Sequence, residues 1–493
     1  MSTISLGLAK FEHYERDIMR NYLVRTFHIL FTCLAFSLLF FRSSSANPSG
    51  KKEYLDQFKK DERILILAPH PDDETIACAG VIQEAISRGA KIKIAYLTNG
   101  EHNEFAFIVY EKRITLKKNE FIHLGEVRRK EAVKAMELLG IDEKDLVFLG
   151  YPDFGTFSIL NRYWQMSRPF RSLLTRISNV PYKDSLSFGA PYSGDSILKD
   201  LKEVILNYRP DKIFVSHPAD VNVDHKSLYL FLQIALADLR DQIPYPKVYP
   251  YLVHHSGWPL PRHYHPELDL NPPKSLLNSQ INWLRFDLSP EQLSKKHEAA
   301  LCYKSQTESS AFYLLAFVRK NELFSDYFPI SLKNQVSLKE HFVSFFGYSK
   351  MFSGSTIEQD LPESNISEDK GRVSYAVVDK ALTIKIEKPR NLVHRFSTTM
   401  YIFGYRYGNP FGEMPKLRII TKHDNFKVYD GKKLLDPKGI VLDLASQSLT
   451  LKIPLEIIGS PDFIFTSTNV YTGKSQGKDS AVDTIGFRRI NLE

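Results

Sequence analysis

Residues 64–80 read ILILAPHPDDETIACAG, four apolar residues followed shortly by His70, Asp72, Asp73 and Glu74. A second cluster, SHPADVNVDH at 216–225, holds His217, Asp220, Asp224 and His225. Two histidines and a carboxylate are the donor set of a catalytic zinc site that keeps a position open for water. An H-x-x-D spacing brings His70 and Asp73 onto one ion if the chain turns between them, and Pro69 and Pro71 favour a turn. A further ligand would then come from a distant strand end. Another reading is a helix cap, because Asp72, Asp73 and Thr75 all suit the start of a helix. A cap leaves His70 unexplained, as well as the second acid–histidine cluster. The same donors also form the facial triad of non-haem iron oxygenases, although that triad usually sits in a β jelly roll.

The elements that must position these residues alternate in type. RILILA (63–68), KIKIAYLT (91–98), DLVFLG (145–150), KIFVSH (212–217) and KVYPYLVHH (247–255) read as strands. Between them, 75–89, 125–140, 196–210 and 225–240 carry helical periodicity. This rhythm predicts an α/β fold, a Rossmann-like, mostly parallel sheet with helices on both faces. Ligands of such sheets bind off the carboxyl ends of the strands, where both clusters fall. Residues 101–124 and 155–195 are long enough to be lids or substrate loops. After a polar stretch at 353–371 the period changes to two, which predicts a C-terminal all-β sandwich.

APHPDDETIACAG resembles the signature of the PIG-L/LmbE-like zinc-dependent N-deacetylases. LTNGE (97–101), EVRRKEAVKAMELLGI (126–141), FLGYPD (148–153), PADVNVDH (218–225) and KHEAALCYKSQ (296–306) follow in the family's order, so the resemblance covers roughly 60–310. It implies hydrolysis of an N-acetyl group on a glucosamine-containing conjugate. By motif position it implies His70, Asp73 and His225 as Zn2+ ligands and Asp72 as general base. It also implies Arg128 as a sugar contact and Asp153 as a pocket carboxylate. Each of these two has a plainer alternative. Arg128 could pair with Glu131 one turn on, and Asp153 could close a turn after Pro152. One position departs from the pattern. Many relatives place a histidine three residues before the last ligand, and here Asn222 stands there. Asparagine can donate to an oxyanion but cannot protonate a leaving group, which makes His254 the candidate acid. Trp258, in the His- and Pro-rich stretch after it, either stacks on a sugar face or belongs to a proline-braced rim.

The 493 residues exceed one core. We expect a signal peptide or membrane anchor over 1–46, a catalytic domain over 55–330, a connecting segment over 331–371 and the β-sandwich over 372–493. The apolar run 26–41 has 16 residues, short of the roughly 20 of a spanning helix. It addresses the chain to a membrane, as an anchored or exported protein. Three cysteines (33, 78 and 302) make no disulfide framework, and without a CxxC there is no cysteine-type zinc site. The net charge of +8 comes without a zinc finger, basic zipper or RNP-like run, so nucleic acid is not an expected partner. The expected partner is an N-acetylated sugar, with the sandwich as a candidate glycan contact. A degenerate deacetylase kept as a glycan-binding module is the non-enzymatic alternative.

Overall fold

A computed structural model describes residues 53–102, 118–277, 281–335, 343–346, 348–349, 372–387, 396–422, 425–445, 448–472, 480–483 and 486–493. The apolar run 26–41, the linker stretch 353–371 and most of the first long loop lie outside these residues. Among the described residues no helix is long and apolar enough to cross a membrane.

The first part is built from β1 (Glu53–Tyr54), β2 (Arg63–Ala68), α1 (Asp73–Ser87), β3 (Lys91–Thr98), α2 (Lys118–Leu139), β4 (Leu146–Tyr151), α3 (Thr156–Arg162) and α4 (Gly194–Tyr208). It continues with β5 (Lys212–Ser216), α5 (Val223–Asp238), β6 (Lys247–Tyr251), β7 (Asn282–Asp287), α6 (Pro290–Ala300), α7 (Lys304–Leu314) and β8 (Asn321–Asp326). The eight strands form one sheet in the order β1-β7-β8-β6-β5-β2-β3-β4. All neighbours are parallel except β8, which runs antiparallel to β6 and β7. β2 and β5 are buried nearly throughout, as interior parallel strands covered on both faces must be. Helices α1, α2 and α6 pack together, and α3 and α4 pack on α5. From β2 the chain winds outward through β3 to β4, then returns to the other side of β2 at β5 and winds on to β6. The gap between β2 and β5 is therefore a topological switch point, where the loops after the two strands part and leave a crevice.

Three boundaries differ from the sequence reading. α2 begins before Gly125, and that glycine lies where a Cβ would stand 2.2 Å from the Tyr182 hydroxyl. β6 stops at Tyr251 rather than at 255, because the N–H groups of Val253 and His254 turn to Asp220 Oδ2 (3.2 and 2.8 Å). α4 ends on a left-handed Arg209 (φ 52°) just ahead of Pro210.

The second part consists of two mostly antiparallel sheets. One orders 334–335, 372–378, 381–387, 448–454 and 441–444, with 343–346 also on 372–378. The other orders 348–349, 480–483, 463–472, 396–405, 416–422, 425–430 and 433–435. Alternate residues of 448–454 are buried, the period-two pattern of a half-covered strand. The sheets meet where Tyr375 Oη lies 3.4 Å from Thr468 Oγ1. Strand Ile330–Leu332 falls at the expected domain boundary, yet it pairs with Arg488–Leu492. The β module thus takes in chain from the first half of the expected connecting segment, 330–349. Those strands are too short to show a period.

The two parts pack as one compact unit over Glu53–Glu493. Trp164 meets Phe411 edge-on at 5.0 Å, Phe157 meets Tyr401 at 5.4 Å, and Tyr405 Oη donates to Asp238 Oδ1 at 2.8 Å.

Candidate metal centre and active site

The carboxyl ends of five adjacent strands supply the site. β2 gives His70 to Asp73, β5 gives Asp220, β6 gives His254, β3 gives Gly100 and Glu101, and β4 gives Asp153. α5 adds Asp224 and His225 from its first turn.

Asp73 Oδ2 is the meeting point. It accepts the His70 backbone N–H at 2.9 Å and lies 3.1 Å from His70 Nδ1 and 3.2 Å from His225 Nε2. His254 adds a fourth donor, and one ligand atom from each of these four residues lies within 4.8 Å of the others. The helix-cap reading does not hold. Asp72 precedes α1 but makes no capping hydrogen bond, and its φ of 123° is strained for a residue with a side chain.

Buried polar atoms without hydrogen bonds are costly, about 1–3 kcal/mol each. Here His225 Nδ1, His225 Nε2 and His70 Nε2 are all buried with no hydrogen-bond geometry among the described residues. Of these, His225 Nε2 faces Asp73 Oδ2, and a cation among His70, Asp73 and His225 would use it together with His70 Nδ1, so the donor set fits a metal. The outer faces of both imidazoles meet carboxylates. His225 Nδ1 faces Asp220 Oδ2 at 3.0 Å. His70 Nε2 faces Asp153 Oδ1 at 3.1 Å and Asp224 Oδ2 at 3.6 Å. Such outer carboxylates fix ring orientation and raise ligand basicity. The carboxylates are themselves held. Asp224 takes the N–H groups of Phe154 (2.6 Å) and Thr156 (3.2 Å) and the Thr156 hydroxyl. Asp153 takes the His102 N–H at 2.9 Å, so it is no mere turn residue.

Asp72 stands beside this group. Burial pushes its carboxyl up to about 7 against the opposing pull of Arg128. Arg128 does not pair with Glu131, which instead holds Ser305 (2.8 Å to N, 2.6 Å to Oγ). The Arg128 guanidinium reaches Asp72 Oδ2 at 3.0 Å, Pro71 O at 2.7 Å and Gly100 O at 2.8 Å. That close approach requires Gly100 (φ 68°), since a Cβ there would sit 2.1 Å from Arg128 Nη1. Glu74 completes the support by accepting the Asp72 N–H at 3.1 Å. Burial lifts Glu74 to about 7, and the Tyr303 hydroxyl donates to it.

Residues 65–236 match the family described as PIG-L: GlcNAc-PI de-N-acetylase. The matched segment holds both the His70–Glu74 cluster and the His217–His225 cluster. Over 90 residues the chain is 34% identical to a 1D-myo-inositol 2-acetamido-2-deoxy-alpha-D-glucopyranoside deacetylase of Mycobacterium sp. (strain KMS), covering 18% of this chain and 28% of that protein. Over 99 residues it is 33% identical to a probable N-acetyl-alpha-D-glucosaminyl L-malate deacetylase 2 of Bacillus anthracis, covering 19% and 38%. The chain thus spans well under half the length of these relatives. Among solved structures, N,N'-diacetylchitobiose deacetylase from Pyrococcus horikoshii aligns over 50% of this chain and 70% of its own, at 17% identity and a TM-score of 0.31.

Of the other residues read from the sequence, His254 reaches the candidate metal centre. Its ring lies 4.8 Å from that of His225, and its Nδ1 is 2.9 Å from Tyr313 Oη. Burial lowers it to about 4, so it is neutral at pH 7. Asn222 caps α5, its Oδ1 accepting the Asp224 N–H at 2.8 Å. Trp258 offers no face to a sugar. It is only 4% exposed, donates to Asn271 O at 2.8 Å and packs edge-on against Phe317. His217 is also apart from the centre, stacked on Trp283 with its Nδ1 accepting the Ala219 N–H at 2.9 Å. Asp220 and Asp224 stood in the second cluster without a role. Tyr313 gave no signal, being 59 positions from the histidine it meets.

Proposed function

We propose that the protein is a zinc-dependent hydrolase that removes the N-acetyl group of an N-acetylglucosamine-type conjugate, releasing acetate and a free amine. One observation carries this reading. A buried carboxylate, Asp72, lies beside the converging His70, Asp73 and His225 yet outside their donor set, with its pKa lifted to about 7. His70, Asp73 and His225 would hold the ion, and the names of the two relatives support the substrate class. Bound zinc supplies Lewis acidity, polarising an amide carbonyl and acidifying water.

The chain's own residues do the rest. Asp72 takes the proton of the attacking water and returns it to the leaving amine, a task suited to a pKa near the working pH. Arg128 keeps the carboxylate from turning away by binding it together with two fixed backbone carbonyls. The Tyr313 hydroxyl gives its proton to Val253 O, so neutral His254 donates from Nδ1 to Tyr313 and keeps Nε2 as an acceptor. With His254 neutral and Asn222 an amide, the returning proton is left to Asp72. The apolar run 26–41 supports an anchored or exported protein.

The test is acetate release by the purified protein from phosphoinositol-linked, chito-oligomeric and peptidoglycan-derived N-acetylglucosamine conjugates. We expect release that a chelator abolishes and zinc restores. Asp72→Asn should cost at least about 10²–10⁴-fold in rate, the usual weight of a general base, with one ion still bound per chain. Full activity of Asp72→Asn would sink the mechanism. A protein that binds zinc but releases acetate from none of these conjugates would favour the glycan-binding alternative.

A further inference from the structure

The β module meets the turn after β5 at Gly486 and Phe487. Phe487 N donates to Pro218 O at 3.2 Å, and Tyr327 Oη donates to Phe487 O at 3.1 Å. Gly486 beside it lies so close that a Cβ would stand 2.0 Å from Pro218 O and 2.5 Å from Ala219 Cα. Pro218 and Ala219 lead directly into Asp220, whose N–H closes the turn onto His217 O at 2.9 Å. Asp220 Oδ2 is the atom that faces His225 Nδ1.

The Phe487 ring serves a second element. It lies 5.8 Å from Phe157, and it stacks on Phe403 of the module at 5.6 Å. Phe157 belongs to the first turn of α3, whose Thr156 N–H and hydroxyl hold Asp224. Asp224 in turn faces His70 Nε2. One buried wedge therefore rests on both elements that aim outer carboxylates at the two metal-binding imidazoles.

We infer that the C-terminal β module is a structural part of the metal centre, with Gly486 and Phe487 as positioning residues that set Asp220 and Asp224, and through them the orientation of His225 and His70. The inference rests on the reading of His70, Asp73 and His225 as metal ligands. It gives the module a task in the site itself, apart from any glycan contact. Loss of such outer partners typically weakens metal binding by about 10–100-fold.

The experiment is a cobalt(II) titration of the full chain, followed by visible absorption, on the wild type, Gly486→Ala, Tyr327→Phe and the exposed-strand control Val441→Ala. Far-UV circular dichroism and a thermal melt report folding. The affinity of an already folded chain does not depend on its global stability, so a merely structural role would leave both affinity and spectrum unchanged. We expect Gly486→Ala to bind cobalt at least about tenfold more weakly with a shifted absorption band, Tyr327→Phe to follow in the same direction by a smaller factor, and Val441→Ala to match the wild type. If Gly486→Ala does not fold, Tyr327→Phe decides. Folded variants with wild-type affinity and spectrum overturn this inference and leave the metal reading intact. A wild type that binds no cobalt overturns both.

Discussion

Asp72 and Arg128 work as a unit because three acceptors converge on one planar cation. A lysine brings a single flexible point charge and cannot serve all three. Arg128→Lys should therefore lower kcat by about 10–100-fold, in line with a misplaced catalytic group, while zinc stoichiometry stays at the wild-type value. Steady-state kinetics and metal analysis check the two halves separately. His217 makes a different prediction. Burial, then the positive Arg488, lowers it to about 3 from its usual 6.5. Between those values the unfolded chain binds a proton that the folded chain refuses, so stability falls as pH drops from about 6.5 toward 3, by up to about 1.4 kcal/mol per pH unit. His217→Asn, which keeps an acceptor for Ala219, should flatten that part of the stability profile relative to wild type. Urea unfolding at pH 7.5 and 5 measures it. At this scale the sequence was most legible where chemistry is contiguous. His70 to Glu74 announce themselves within one turn. Trp258 stayed open between two readings, because a tryptophan in a His/Pro-rich loop reads the same whether its ring faces a ligand or a Phe317 far along the chain.

Among the elements, β8 is tied to α1 by a charge. Glu322 accepts the N–H groups of Gly80 (2.8 Å) and Val81 (3.0 Å) and pairs with Lys296 of α6 at 2.8 Å, both side chains fully buried. Removing one partner of such a pair leaves a buried charge and costs about 3–5 kcal/mol. Glu322→Ala should lose that much in chemical denaturation. The double replacement Lys296→Met with Glu322→Leu should lose less, because it leaves no unpaired ion. The parallel strands were readable because interior strands are short apolar runs bounded by glycine, proline and polar residues. β7 and β8 were not. NWLRFD and NELFSD carry charges at positions whose burial depends on partners elsewhere in the sheet. Likewise the early end of β6 follows from Asp220, a residue that local periodicity cannot see.

For the whole molecule, the β module is a cover as much as a neighbour. Trp164 and Phe157 are satisfied by Phe411, Tyr401 and Phe487. A chain shortened to residues 53–329 should expose this aromatic face and self-associate. Size-exclusion chromatography with light scattering would show oligomers or aggregate, and a stable monomer would count against the cover. That a second, all-β part follows the α/β part could be read from the change of period. That it touches the turn after β5 could not, since IGFRRINL reads as an ordinary strand entry and nothing local ties it to that turn.

The contact between Pro218 and Phe487 joins positions 269 apart in the chain. A ribosome adding about 5–20 residues per second delivers the turn, and α5 behind it, on the order of tens of seconds before the wedge that rests on them. During that interval the nascent chain has both histidines and both aspartates in hand but lacks the piece that aims them. Its aromatic cover is missing too. Metallation would then follow synthesis of the β module, and the growing chain has reason to be a chaperone client until Phe487 arrives.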